Sequence, residues 1–512
     1  MASTMRLPAV RLFGFALALL IGGSLAACTS SMLENAPSDP STPWKPPSEA
    51  AATKAGGRSG ANDFGVRSDD AVSALQPTPG IQRNKVYGLP ELIDIAQTQN
   101  PATRIAWQTA RQAALAAGMV EATYLPYISA NVIGGSQSYS APLPVAIGNQ
   151  DDVTTTVSGV SPQIALQWLV FDFGQRKALH EAAQHNSAAA NVLFNGVHQK
   201  IIYDVTRTYY LYGAARSRVR IADQNLANSR KIEAAAQARV DKGIGTTVEL
   251  AQARQAVAQA QFGLVQSQGQ EKDAYQALLG AMGVSPVTQL RVSESGSRRL
   301  PDSVGAPTEL MIKAALAQRP DVLASFSAMK ASQAGITAAE AEFMPKVYLG
   351  AVAAGGNTNL SASGLPTIGQ QSAATGVVVG ATMPLFDGGL REAQLKNAQS
   401  LAAASEATFQ RTRDDAAREI VVSADTLRSA LASYRAATAL TSAAAVTYDA
   451  ALDSYRAGVG DITTATAADS GLLTARQAQA DAYTASLVAA SNLAFVLGRM
   501  TSRDASALTS SQ

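Results

Sequence analysis

The chain has 512 residues, 41 of them basic and 39 acidic, and only 16% of its residues are charged. That balance, with no basic run, excludes an electrostatic footprint for nucleic acid, and a single cysteine excludes a disulfide framework. At this length a single compact core is not expected.

Arg6 and Arg11 lead into the apolar run Leu12 to Leu20, and small residues close it at Leu25-Ala26-Ala27-Cys28. The pattern marks residues 1–27 as a signal peptide. Its end is similar to the lipobox of bacterial lipoproteins, which would make Cys28 the lipidated first residue of the mature chain. Thr29 after it is compatible with sorting to the outer membrane in such lipoproteins. The plainer alternatives are an ordinary cleaved signal peptide with an incidental cysteine, or a short membrane anchor. Residues 28–84 are rich in Pro, Ser, Ala and Gly and are expected to form a lipidated tether. Folded sequence then begins with a short helix near Leu89-Pro90 that ends before Asn100-Pro101.

The remainder is a duplication: a first repeat over 85–283, a connector over 284–306, a second repeat over 307–498 and a flexible tail over 499–512. Asn100-Pro101 returns as Arg319-Pro320 and Tyr124-Leu125-Pro126 as Phe343-Met344-Pro345, both 219 residues later. Phe171-Asp172 returns as Phe386-Asp387 and Gly243 as Gly458, both 215 residues later. The difference falls between the proline and the Phe-Asp, where a loop can absorb it.

Each half carries two alternating segments, such as Ile164-Leu166-Trp168-Val170 and Val377-Val379-Ala381-Met383, with partners from Tyr127 to about Tyr139 and from Lys346 to about Ala354. Strands of about 10 residues, the length that crosses a bilayer when tilted, are expected. The glycine-rich polar stretches 140–156 and 355–374 are expected as loops. Tyr124, Tyr127, Phe171, Phe173, Phe343, Tyr348 and Phe386 cluster where strands meet helices, as an interfacial belt would; aromatics of an ordinary soluble sheet are the alternative. Four strands cannot close a barrel, and open edges are not tolerated in lipid, so the chain should oligomerise.

The proline-free runs from Arg176 to Gly243 and from Arg391 to Gly458 are single helices of about 100 Å. Asp172 and Asp387 are the expected N-caps, and each run stops at a glycine pair, Gly243-Ile244-Gly245 or Gly458-Val459-Gly460. Ile201, Val205, Thr208, Tyr212, Ala215, Val219, Ala222 and Leu226 are spaced by threes and fours, as coiled-coil seams are. So are Leu427, Leu431, Tyr434, Thr438, Thr441, Ala445, Tyr448, Leu452 and Tyr455. Two shorter helices laid end to end roughly match each long one, and the connector is expected to project where they meet.

Taken together, these landmarks and Glu249-Leu250-Ala251-Gln252-Ala253 resemble the TolC family of outer-membrane channels, in its lipoprotein branch, over about residues 85 to 498. The resemblance implies a mixed fold of α-helices and membrane β-strands: a homotrimer whose shared twelve-stranded barrel in outer-membrane lipid continues as a helical barrel through the periplasm. It implies an exit duct for small toxic compounds, working with a periplasmic adaptor and an inner-membrane pump; a type I protein-secretion duct is the alternative. Arg239, Gly243, Gly245, Tyr455, Gly458 and Gly460 fall at the helical tips where family members meet the adaptor. The positions of the family's acidic constriction fall on Thr464 and Ala467, which carry no charge, with Asp461 nearby.

No catalytic arrangement, cofactor motif or metal set is found. His180, His185 and His198 are the only histidines, and the first two are not at the i, i+4 spacing of a shared metal. Gly355-Gly356 and Gly388-Gly389 follow no phosphate-binding pattern. A periplasmic coiled-coil lipoprotein would lack the four strands, and an envelope enzyme would need a polar cluster that is not found.

Overall fold

The computed structural model describes residues 80–82, 84–147, 150–294, 299–362 and 366–500, with 36–37, 39–41, 64 and 70–74 before them. The signal peptide, Cys28 and residues 501–512 lie outside the described residues. The chain divides into two compact units, Met1–Gln76 and Pro77–Gln512. The described part of the first includes one helical turn, Asp70–Ser73.

The second unit applies one plan twice. β1 (Val86–Tyr87) and α1 (Leu89–Gln99) lead to α2 (Pro101–Ala122), β2 (Tyr127–Ile147), β3 (Gln150–Phe171), α3 (Gln175–Asp241) and α4 (Thr247–Met282). β4 (Arg291–Val292) follows, and the plan returns as α5 (Glu309–Leu316), α6 (Pro320–Ala341), β5 (Lys346–Ala362), β6 (Ile368–Thr382), α7 (Leu390–Ala457) and α8 (Ile462–Val496). The long helices α3 and α7 have 67 and 68 residues, about 100 Å each.

Pseudo-symmetry extends to single hydrogen bonds. Asn100 caps α2 and donates from Nδ2 to the carbonyl of Ala281 at 3.1 Å. Arg319, its counterpart before α6, donates from Nη1 to the carbonyl of Val496 at 3.1 Å. Ala281 and Val496 are themselves counterparts, so in both halves the start of the short helix is tied to the end of the returning one. Arg319 adds ion pairs with Asp321 and Glu419, both at 2.7 Å, which keep its nearly buried guanidinium paired.

The largest apolar core lies where α1, α3 and α4 meet, around Leu92, Ile93, Val205, Leu278 and Met282. Burying each such side chain contributes about 1.5–3 kcal/mol. The described residues of the connector do not project. Val284 and Leu290 enter this core, β4 pairs in parallel with β1, and the Tyr275 hydroxyl both donates to Thr288 O at 3.0 Å and accepts from Leu290 N at 2.9 Å. Apolar residues too sparse to show a period are enough to fold it down. Met500 is also buried in this core, so the segment expected as a tail is anchored at its start.

The α3 seam from Ile201 to Leu226 is buried or half-buried throughout. The α7 seam from Leu427 to Tyr455 is likewise buried or half-buried except at Thr438, where the neighbouring Ala437 is buried and Thr438 accepts from Gln479 of α8 at 3.2 Å.

β2, β3, β5 and β6 form one open antiparallel sheet in that order. The strands run to 21, 22, 17 and 15 residues, well beyond the expected ten, and most of 140–156 and 355–374 is strand rather than loop. Ladder pairing asks only for backbone groups, and cross-strand hydroxyl pairs suit it: Ser138 with Thr156 at 2.8 Å and Ser140 with Thr154 at 2.7 Å. The β3–β5 pairing skips Ser161 and Pro162, the latter having no N–H to give. Among the described residues no helix is long and apolar enough to cross a membrane.

Candidate functional site

Three places hold the sequence-singled residues: the strand-to-helix junctions, the two helical tips and the first turns of α8.

At the junctions the two aspartates act differently from the expected N-caps. Gly174 and Gly389 occupy the cap position, with φ of 95° and 88°. Asp172 reaches past its glycine: Oδ1 accepts from Gly174 N at 3.2 Å, and Oδ2 accepts from Arg176 N at 3.0 Å and Nε at 2.7 Å. Asp387 repeats this with Gly389 N at 3.1 Å and with Arg391 N and Nε at 3.2 and 2.6 Å. Arg176 goes on to the carbonyl of Thr123 at 2.9 Å and lies 4.7 Å from the ring of Tyr124; Arg391 lies 5.2 Å from that of Phe343. Burial alone would push the Asp172 carboxyl up, but the backbone, guanidinium and charge of Arg176 outweigh it and hold the group below its ordinary range. For Asp387 the guanidinium bond of Arg391 does the same. Around these pairs Tyr124, Tyr127, Phe171, Phe173, Tyr348 and Phe386 stand exposed.

The tips are near-copies. Gly243 and Gly458 have φ of 75° and 82°, the left-handed region that glycine enters without strain. Ile244 N and Gly245 N both donate to Arg239 O, at 3.0 and 2.9 Å; Val459 N and Gly460 N both donate to Ser454 O, at 3.1 and 3.0 Å. The turn is so tight that a Cβ on Gly245 would stand 2.9 Å from Val240 N, and one on Gly460 3.0 Å from Tyr455 N. The returning helices are then capped by Thr246, in a reciprocal pair with Glu249, and by Asp461.

One side chain joins the two tips. Arg239 donates from Nη1 to the Tyr455 carbonyl at 3.1 Å, lies 5.0 Å from the centre of the Tyr455 ring, and pairs with Glu249 at 3.9 Å. Tyr455 is fully buried, and burial, followed by the charge of Glu249, pushes its phenol up. Outside this tie, Ile244 and Val459 are exposed at 64% and 84%, an apolar side chain between the two glycines of each tip. The sequence reading did not single out these two, or Glu249 as the partner of Arg239, although the repeated Gly-x-Gly flagged the position.

In α8, Thr464 and Ala467 are exposed on one face. Asp461 is bound to the helix start: Oδ1 accepts from Thr464 N at 2.7 Å and Oδ2 from Thr464 Oγ1 at 2.9 Å. These bonds hold its carboxyl below the ordinary range. Asp469 points the other way and is buried.

Among the described residues no group of three or more His, Cys, Asp and Glu is placed to hold a metal ion. His180 bonds Gln184 at 2.8 Å, and His198 packs edge-on against Phe194 with its centroid 4.7 Å away.

The model of the outer membrane efflux protein family matches residues 92–284 and 311–499, taking in both tips. The chain is 26% identical over 409 residues to protein CyaE of Bordetella pertussis, covering 80% of this chain and 83% of that one. It is 27% identical over 347 residues to outer membrane protein OprJ of Pseudomonas aeruginosa, covering 66% and 70%. The fold resembles the Campylobacter jejuni CmeC outer membrane channel, with TM-score 0.70 at 16% identity over 83% of this chain and 89% of that one. It also resembles CusC, with TM-score 0.67 at 21% identity over 83% and 99%. With nearly all of both repeats inside the matched stretches, the chain belongs to the outer membrane efflux protein family, and it is an exit channel of the outer membrane.

Proposed function

We propose that three copies of this chain close one twelve-stranded barrel in the outer membrane and one helical tunnel beneath it, which passes small toxic compounds from a periplasmic adaptor and an inner-membrane pump to the exterior. The observation that carries this is the open sheet. Among the described residues its edge strands β2 and β6 have no partner on one side, while Val132, Ile133, Ile164, Val377 and Val379 stand exposed along it. Unpaired edges in lipid are costly, and pairing β6 of one copy with β2 of the next removes them. Exposed Ile105, Leu115 and Met119 on α2 support a neighbouring copy beside the helices as well.

The apolar Ile244 and Val459, framed by glycines at the tips, are the surface offered to the adaptor, with Arg239 and Tyr455 holding the two tips together. Lipid on Cys28 adds an anchor to the one the barrel supplies. Small-compound efflux is favoured over protein secretion by relatives named for efflux and export, the cation efflux system protein CusC and the pyoverdine export protein OpmQ. The test is a deletion strain assayed for accumulation of fluorescent pump substrates and for secreted protein. Raised accumulation, reversed by the wild-type chain, is expected; unchanged accumulation with a lost secreted protein would replace this reading with the secretion one.

A further inference from the structure

Above the second tip, α8 places a carboxyl where charge is expensive. Asp469 is only 5% exposed. Its Oδ2 accepts from Ser229 Oγ of α3 at 2.8 Å, while Oδ1, equally out of reach of solvent, meets no donor. The neighbouring Asn228 eases the carboxyl's charge without standing in hydrogen-bond geometry to Oδ1. Tyr448 of α7 is buried with an unpartnered hydroxyl. Burial, and after it the charge on Asp469, pushes that phenol up to about 12, so the two groups feel each other. A cavity of about 410 Å³ opens beside Asp469 between α3, α4 and α8.

The charged groups around it do not neutralise the carboxylate at contact distance. Arg476, further along α8, donates to Gln224 at 3.3 Å. Arg218 of α3 is committed to Asp481 of α8 at 2.8 Å, and both also line the cavity. From α4 the cavity receives amide and hydroxyl side chains such as Gln259, Gln266 and Ser267 and no charge; the Tyr448 phenol of α7, outside the cavity, feels the charge of Asp469. A bare carboxylate here would be desolvated with one donor, whereas a neutral acid is tolerated.

We propose that Asp469 carries a proton on Oδ1 in this arrangement, and that the Ser229–Asp469 bond is a pH-released clasp holding the returning helix of the second repeat against the long helix of the first. On release the proton passes to solvent that enters as the two helices part. The carboxylate left behind gains solvation only if α8 draws away from α3, which loosens the helices just above the tips.

Burial outweighs the bonds from Ser229 and Asn228 and holds the group above the ordinary carboxylate range. With a raised pKa in the folded chain the clasp is intact at low pH and is lost as pH rises through that value. The effect on conduction rests on the exit-channel reading; the protonation does not, and two measurements separate them.

The first is an infrared pH titration of the full-length protein in detergent. It should show a buried carboxylic-acid band that bleaches above the ordinary carboxylate range, is missing in Asp469→Asn, and bleaches at higher pH in Ser229→Ala, which has lost a donor to the anion. A titration in the ordinary range, or a band unchanged in Asp469→Asn, overturns the proposal. The second is conductance in planar bilayers over the same pH span. It should rise several-fold in the wild type and stay low and flat in Asp469→Asn, whose amide keeps the bond to Ser229. A wild-type profile that is flat while the band bleaches, or an Asp469→Asn profile that still rises, overturns the clasp and leaves the channel reading standing.

Discussion

The guanidinium of Arg239, at the end of the first long helix, donates to the carbonyl of Tyr455, at the end of the second, and covers that residue's ring at 5.0 Å. The two tips are therefore one mechanical unit. Arg239→Ala removes a partly buried cation–π contact and a charge-assisted hydrogen bond, together worth about 2 kcal/mol. Tip opening should rise roughly 30-fold, read as protease cleavage near both glycine pairs at once. Arg239→Lys should fall between, since an ammonium lacks the planar fork. Cleavage confined to the first tip would show that the tips move separately.

The junction pairs respond to acid in the opposite sense to Asp469. Asp172 and Asp387 are held below their ordinary range, so the stability they add is present at neutral pH and is lost as pH falls below about 4. Asp172→Ala, which leaves a buried guanidinium without its counter-charge, should destabilise the junction by about 3 kcal/mol. Thermal dissociation of the extracted assembly followed from pH 7 downward checks this: the wild type should weaken on acidification, and Asp172→Ala should start weak and change less.

How much of this was legible follows from what each feature asks of its residues. The long helices and the duplication could be read because they are fixed by landmarks: glycine pairs at Gly243 and Gly458, prolines at Pro101 and Pro320, and heptad-like spacing between. The reach of the strands could not, because Ser138, Ser140, Thr154 and Thr156 pair across a ladder while resembling a polar loop in sequence. Asp172 and Asp387 were placed at the helix starts, but a glycine takes the cap position and the carboxylates act from two residues earlier. The Arg239–Tyr455 tie and the Ser229–Asp469 bond link residues 216 and 240 apart, and no local pattern announces such pairs.

A constriction at Thr464 and Ala467 would lack an acidic ring, because those positions are uncharged and the oxygens of Asp461 are engaged by Thr464. Conductance in planar bilayers should therefore show only weak block by multivalent cations from the periplasmic side. Strong block that disappears in Asp461→Asn would place a carboxylate ring in the pore and shift the register of α8.

Lipid on Cys28 is checked by labelled palmitate. Incorporation should be lost in Cys28→Ala, with partial export persisting if the proposed barrel anchors the chain; equal label in wild type and variant would exclude Cys28 as the acceptor.

In the proposed assembly the open sheet of one chain is completed by its neighbours. Native mass spectrometry of the complex extracted from outer membranes tests it most directly. A species of three chains that survives detergent and separates only on heating is expected, together with the loss of β-structure in the released chains. A monomer that keeps its four strands folded, or a stable assembly of any other number of chains, would contradict it.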